Sequence, residues 1–399
     1  MVSRRSLATQ ALMAAVLTVG LVAACSPAAT HVSPIRIGLV APMSGPSGAS
    51  GEAIERGMLL AMDEVNAAGG VLGRPLELVT RDVQNDGEAG VAALREMAAT
   101  DGIVAVFGGL YSPVMLAQLD LVHELQLPLI DAWGSVTRIT KNGRDPNYAF
   151  RVSLSDETAD EFLARYAVTV TGVRRPGILA DSTAWGDSNV AGLQAWLDQL
   201  GVVTAAIERF DQGETDMTRQ AEQLRAAGAD GVILIANAPE GAAIVRGMET
   251  MGWSVPVVSH WGISGGQFVR AAGSDASEGV LTVQTFSFAA SASPVAERVA
   301  SAYLARFGGS DAASIAAPVG VAHGYDGVRL LAMAIAAAGT TDGPAVRAAL
   351  EAIGTYDGLV ARYDRPFGPG DHEALEAADH LMTVWQDGRL VPADPARLP

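Results

Sequence analysis

From Ile35 onward, short apolar runs rich in β-branched residues alternate with stretches of helical period, and this alternation limits the fold more than any other feature of the chain. Residues 35–40 read as a strand, 52–67 as a helix, 76–81 as a strand and 88–99 as a helix. Residues 103–107, 113–125 and 127–130 continue the series as strand, helix and strand. Strands without polar alternation need cover on both faces, and the helices between them supply it, so the pattern predicts an α/β fold with parallel sheets flanked by helices. Gly69-Gly70 and Gly102 stand where the preceding helices should stop.

A second series follows the short strand 148–152. Helices are expected at 157–170, 188–200, 217–227 and 239–251, and strands at 177–180, 202–210, 231–236 and 255–259. Two consecutive open sheets of similar length suggest two Rossmann-like lobes. The tail changes character: a strand at 281–286, helices at 294–307, 319–338 and 344–353, then strands at 359–363 and 380–386, the last running into an Asp387-Gly388 hairpin turn.

The first 25 residues stand apart from this pattern. Arg4 and Arg5 precede an apolar run from Ala11 to Ala24, which suits a signal peptide and falls short of the ~20 residues that a membrane-spanning helix needs. The run ends in Leu21-Val22-Ala23-Ala24-Cys25, similar to a bacterial lipobox, and Cys25 is the single cysteine of the chain. Residues 1–25 are therefore expected to be a lipoprotein signal peptide, with Cys25 the lipid attachment point and residues 26–33 a polar tether. With one cysteine there is no intrachain disulfide, and stability rests on core packing.

A formal charge of -17 and no basic stripe argue against nucleic acid as a partner. No Gly-x-Ser-x-Gly elbow follows a strand, no Gly-x-Gly-x-x-Gly opens a helix, no P-loop is present, and the six histidines show no metal-ligand spacing. No catalytic residue, metal or cofactor is expected, although an α/β enzyme remains the alternative class. One stretch does carry chemistry. From Val104 to Met115 an apolar strand ends in Gly108-Gly109, and a helix opens at Ser112-Pro113, leaving backbone N–H groups at a positive dipole end suited to a small anion.

Several local motifs resemble the solute-binding proteins of ABC importers, of the branched-chain amino-acid binding type. They are Ala41-Pro42-Met43-Ser44-Gly45-Pro46 after the first strand, Asp63 to Gly70 closing the first helix, Arg81-Asp82, Gly213 to Met217, Ala227 to Gly231 and Ser277-Glu278-Gly279-Val280. The resemblance spans Ile35 to Leu390 and implies two lobes joined by three crossovers, near Val152, Gln284 and Tyr356. Lobe 1 would then hold residues 34–152 and 284–356, and lobe 2 residues 153–283 and 357–399.

By the same resemblance, Leu110, Tyr111 and Ser112 and the turn Ala132-Trp133-Gly134-Ser135 would hold a ligand carboxylate from the first lobe. Trp185, Asn237 and Trp261 would face it from the second. The sequence departs from the amino-acid binders at two places: Trp261 stands where an acidic residue meets the ligand ammonium, and Ser50 where an early loop carries an aromatic ring. Tyr111, Trp133, Trp185 and Trp261 would line one cleft, which points to a ligand with a carboxylate and an apolar or aromatic body. The alternative reading of the serines is helix capping, and that of any single ring is packing beneath its turn. In His323-Gly324-Tyr325-Asp326 the Tyr-Asp pair is expected to pack the first lobe. The implied function is capture of a small carboxylate-bearing ligand outside the cytoplasm by a monomer anchored to a membrane, for delivery to permease and ATPase subunits. A ligand-sensing receptor subunit with the same fold is the alternative.

Overall fold

The computed structural model describes residues 32–398; the expected signal peptide, Cys25 and most of the tether lie outside the described residues. The first sheet is built from β1 (Ile35–Ala41), β2 (Leu76–Asp82), β3 (Ala105–Gly108), β4 (Leu129–Asp131) and β5 (Ala149–Arg151), in the order β2-β1-β3-β4-β5, all parallel. Helices α1 (Gly48–Ala67), α2 (Gly87–Glu96) and α3 (Ser112–Glu124) connect its first four strands. β3, β4 and β5 are buried throughout, as strands covered on both faces must be.

The chain then passes to a second sheet through α4 (Asp156–Thr169), β6 (Pro176–Asp181), α5 (Ala184–Gln199), β7 (Ala206–Phe210), α6 (Thr218–Ala226), β8 (Gly231–Ile235), α7 (Ala238–Thr250) and β9 (Val257–Ser259). The short helices α8 (Phe268–Ala272) and α9 (Ser274–Ser277) lead to β10 (Leu281–Gln284). From there α10 (Pro294–Phe307), α11 (Pro318–Ala338) and α12 (Gly343–Glu351) return to the first sheet. α11 lies against α1 with almost no gap: a Cβ on Gly57 would come 2.0 Å from Val321 O, and one on Gly324 2.4 Å from Ile54 O. Only glycine permits that approach.

A small pair, β11 (Thr355–Asp357) and β12 (Arg362–Asp364), follows, and the chain ends with β13 (Leu381–Gln386) and β14 (Arg389–Pro392). The second sheet runs β14-β13-β10-β9-β8-β6-β7, parallel from β7 to β10 and antiparallel at β13 and β14. Asp387 and Gly388 turn the final hairpin with positive φ values of 49° and 74°. The fold is thus α/β, a parallel sheet and a second sheet parallel from β7 to β10, both flanked by helices.

The structure departs from the sequence reading where side chains compete for backbone donors. The strand expected at 359–363 is instead the hairpin of β11 and β12, because the Asp326 carboxylate takes the N–H groups of Leu359 and Val360 at 2.7 and 2.9 Å. Asp326 also accepts from the Tyr363 hydroxyl at 2.9 Å, and burial pushes its carboxyl up to about 6. Residues 372–374 run beside β5, with Arg151 N donating to His372 O and Ala374 N to Arg151 O. The chain therefore leaves the first sheet for the last time after Ala374, later than the passage expected near Tyr356. α5 begins four residues before the expected Ser188, at Ala184, where Thr183 Oγ1 accepts from Trp185 N. α2 ends at Glu96, and a π turn over Met97–Asp101 closes at Gly102, φ 64°.

Candidate functional site

In each sheet the strand order reverses once, at β1/β3 in the first and β6/β8 in the second, and open α/β sheets bind ligands outside the carboxyl ends of strands at such points. The two sets of carboxyl ends face a common cavity. Leu110, Tyr111, Ser112, Pro113 and Ser135 line it from the first sheet. Asp181, Thr183, Trp185, Gln212, Asn237, Trp261 and Gly262 line it from the second. Its volume is about 10 Å³, space for roughly one water. Gln212, one of its lining residues, accepts at Oε1 from Asn85 Nδ2, which joins a loop of the first half to one of the second.

On the first side, Ser112 Oγ accepts from the N–H groups of Ser135 at 3.1 Å and Val136 at 3.4 Å. Its hydrogen remains available to donate. Tyr111 donates its hydroxyl to Ser47 Oγ at 2.9 Å; burial raises its pKa, as do the negative charges of Glu240 and Asp181 across the cleft. The turn after β4 is wired from below. Asp131 Oδ1 accepts from Trp133 N at 3.1 Å and Oδ2 from Arg151 Nε at 3.0 Å, and the same guanidinium holds the carbonyls of Ser135 and Val136. Asp131 and Arg151 are both fully buried; burial pushes the Asp131 carboxyl up to about 7 against the pull of Arg151.

On the second side, Asp181 ends β6 and is 1% exposed. Its Oδ1 accepts from Thr183 N at 3.2 Å, Thr183 Oγ1 at 2.8 Å and Gly186 N at 2.9 Å, while Oδ2 has no hydrogen-bond partner among the described residues. Burial raises the Asp181 pKa despite those donors. Trp185 meets His260 edge-on, ring centroids 5.2 Å apart, and its buried Nε1 also lacks a partner among the described residues. His260 Nδ1 accepts from Trp261 N at 3.0 Å, so Nε2 is the ring nitrogen that carries a hydrogen, and it faces Asp156 Oδ1 at 3.5 Å. Burial would raise the Asp156 carboxyl, but His260, Ser188 and Ser135 hold it below its usual range.

Of the residues singled out from sequence, Leu110, Tyr111, Ser112, Ser135, Trp185, Asn237 and Trp261 come together at this cavity, while Ser50, Ala132, Trp133 and Gly134 do not line it. Ser50 lies in the first turn of α1 and donates to Ser47 O at 2.7 Å. Ala132 gives its carbonyl to His323 Nδ1 at 2.8 Å. A Cβ on Gly134 would strike Met115 at 2.0 Å. Trp133 is fully buried beneath the turn, its ring 5.9 Å from that of Trp261 and so close to α11 that a Cβ on Gly320 would lie 2.6 Å from it. The expected four-ring lining is therefore three rings with a fourth packed behind them. Pro113, Asp181, Thr183, Gln212 and Gly262 were not anticipated. The signal for Asp181 was present: like Asp131, it is the acid that ends an apolar strand before a turn.

A larger groove of about 570 Å³ lies elsewhere, between α8, the β13–β14 turn and residues 312–318. Its walls are mostly apolar, and its two charged side chains are engaged, Arg270 with Gln267 and Arg389 with Asp311. The small cavity, where unpartnered polar atoms meet strand ends, is the better candidate for recognition. Among the described residues no cluster of three or more His, Cys, Asp or Glu could hold a metal ion, and no helix is long and apolar enough to cross a membrane.

The family model for periplasmic binding proteins matches residues 34–386. The chain is 27% identical over 382 residues to the Leu/Ile/Val-binding protein BraC3 of Rhizobium johnstonii, covering 95% of this chain and 99% of the relative. Its structure is similar to the type 1 periplasmic binding protein of Bordetella pertussis Tohama I, with a TM-score of 0.83, 27% identity, and coverage of 90% of this chain and 100% of the other. It shares the fold of an R. palustris ABC-transporter solute-binding protein in complex with 4-hydroxybenzoate, with a TM-score of 0.78 and 19% identity over 90% of this chain and 96% of that one. With two parallel sheets converging on one cavity and a family match across nearly the whole described chain, this is an extracytoplasmic solute-binding protein, not an enzyme, and it belongs to the periplasmic binding protein family.

Proposed function

We propose that this protein captures a small carboxylate-bearing ligand, an amino acid or an aromatic or apolar acid, and delivers it to the permease of an ABC importer. One observation carries the reading: the cavity is built half from each sheet, and at about 10 Å³ it admits such a ligand only if the halves part. Residues 34–152 with 285–375 then swing against 153–284 with the remaining tail, pivoting on the three passages between the sheets. The ligand carboxylate docks first at the α3 N-terminus, where Ser112 and Ser135 stand and the helix dipole favours negative charge. Trp185, Asn237 and Trp261 close over the rest of it.

The relative named for Leu, Ile and Val and the structural neighbour holding 4-hydroxybenzoate support the two ligand classes. Cys25 in its lipobox supports a mature protein tethered to a membrane by lipid at that residue, after removal of residues 1–24. Small-angle scattering during titration with aliphatic amino acids, aromatic amino acids and hydroxybenzoates tests capture and closure together. Saturation by one of these ligands is expected to change the radius of gyration, and an unchanged radius at calorimetric saturation would count against the closing motion.

A further inference from the structure

Asp181 is the one charged side chain among the described residues that line the cavity, and its environment is lopsided. Oδ1 already accepts three hydrogen bonds from Thr183 and Gly186, which fix the carboxylate at the start of α5. Oδ2 is buried with no hydrogen-bond partner among the described residues, although the Gln212 side chain beside the carboxylate lowers the acid's pKa. A buried carboxylate oxygen left in this state keeps its desolvation penalty uncompensated, so a ligand group that donates to it recovers energy that a ligand without a donor cannot. No arginine or lysine lines the cavity among the described residues. A simple carboxylate would therefore add a second negative charge to the one already there.

We infer that Asp181 Oδ2 selects the ligand, by accepting a hydrogen bond from a donor group, an ammonium or a hydroxyl, which the ligand carries away from its own carboxylate. The inference rests on the capture of a carboxylate-bearing ligand proposed above. It moves acid recognition from the position now held by Trp261 to the end of β6. The second sheet thus keeps an acid facing the cleft, although the expected one is absent.

Matched pairs of ligands test this by titration calorimetry: phenylalanine against 3-phenylpropanoate for the ammonium, and 4-hydroxybenzoate against benzoate for the hydroxyl. In one pair the donor-bearing member is expected to bind about ten- to a hundredfold tighter, the value of a charge-assisted hydrogen bond, and which pair shows the gap identifies the donor. In Asp181→Asn one amide oxygen can still serve Thr183 and Gly186 while the NH₂ faces the cavity, so the gap is expected to shrink or reverse. Equal affinity within both pairs overturns the role of Asp181 and leaves ligand capture standing, as does a gap that Asp181→Asn preserves. Binding of none of the four compounds overturns this inference together with their capture. The wild-type comparison needs no variant, so it decides the matter even if Asp181→Asn fails to fold.

Discussion

The turns that follow β4 and β6 begin alike and end differently. Each strand finishes in a buried aspartate whose Oδ1 accepts the N–H two residues on, Trp133 for Asp131 and Thr183 for Asp181. The second oxygen separates them. In Asp131 it meets Arg151, whose guanidinium continues to the Ser135 and Val136 carbonyls. In Asp181 it faces the cavity without a partner among the described residues. One turn is completed by the protein itself, and the other is left for something else to complete. The first side of the cleft is thereby a fixed platform, and the second carries the unsatisfied group.

The same substitution at the two aspartates should break this comparison if it is mistaken. Asp131→Asn removes one of the two carboxylates that face fully buried Arg151, leaving Glu373 at 3.3 Å as its partner, and is expected to cost about 3 kcal/mol in denaturant unfolding, the low end for breaking a buried pair. A loss under about 1 kcal/mol would mean that the ion pair does not hold the turn. His323, which anchors the Ala132 carbonyl of that turn, provides the next effect in size. Burial lowers its pKa to about 3, so it stays neutral in the fold while the unfolded chain takes up a proton below about pH 6.5. Stability from this group is complete above pH 6.5 and falls as pH drops toward 3, by up to about 1.4 kcal/mol per pH unit. Asp131, raised to about 7, acts with the opposite sign, keeping in the fold a proton that the unfolded chain releases near pH 4. The difference in unfolding free energy between wild type and His323→Gln from pH 6 to 4 isolates the histidine, and a difference independent of pH would remove it as the source. Smallest is Asp181→Asn, which keeps an acceptor for Thr183 and Gly186 and should alter unfolding by no more than about 1 kcal/mol. A cost equal to that of Asp131→Asn would show that the two turns are built alike after all.

The alternation of apolar runs and helical stretches made both sheets legible, because strands such as Gly231–Ile235 have to be buried on both faces and say so in composition. Ser112-Pro113 announced the start of α3 beside the cavity for a similarly local reason, proline at the start of a helix. What sequence hid was long-range. Trp133 and Trp185 both follow strand ends, yet Gly320, far along the chain, makes room for the first to be buried against α11, while the second lines the cavity. The strand misplaced at 359–363 was lost to Asp326, some thirty residues earlier. The freedom of Asp181 Oδ2 has no sequence sign at all, since it depends on Arg209 donating to the Asp181 backbone carbonyl and not, as Arg151 does for Asp131, to the carboxylate.

His323 has one more consequence, which concerns direction. Its Nδ1 lies 2.8 Å from the Ala132 carbonyl, which can only accept, so the hydrogen of the neutral ring sits on Nδ1. Nε2 is then an acceptor, and Thr285 Oγ1, 2.8 Å away, must be its donor. The relay runs one way, from the hydroxyl beside the second passage between the sheets, through the imidazole, to the backbone of the turn after β4. A displacement of Thr285 would draw on a ring that can neither flip nor exchange its proton without releasing the Ala132 carbonyl, so the second passage between the sheets and the turn after β4 share a single tautomer as their coupling.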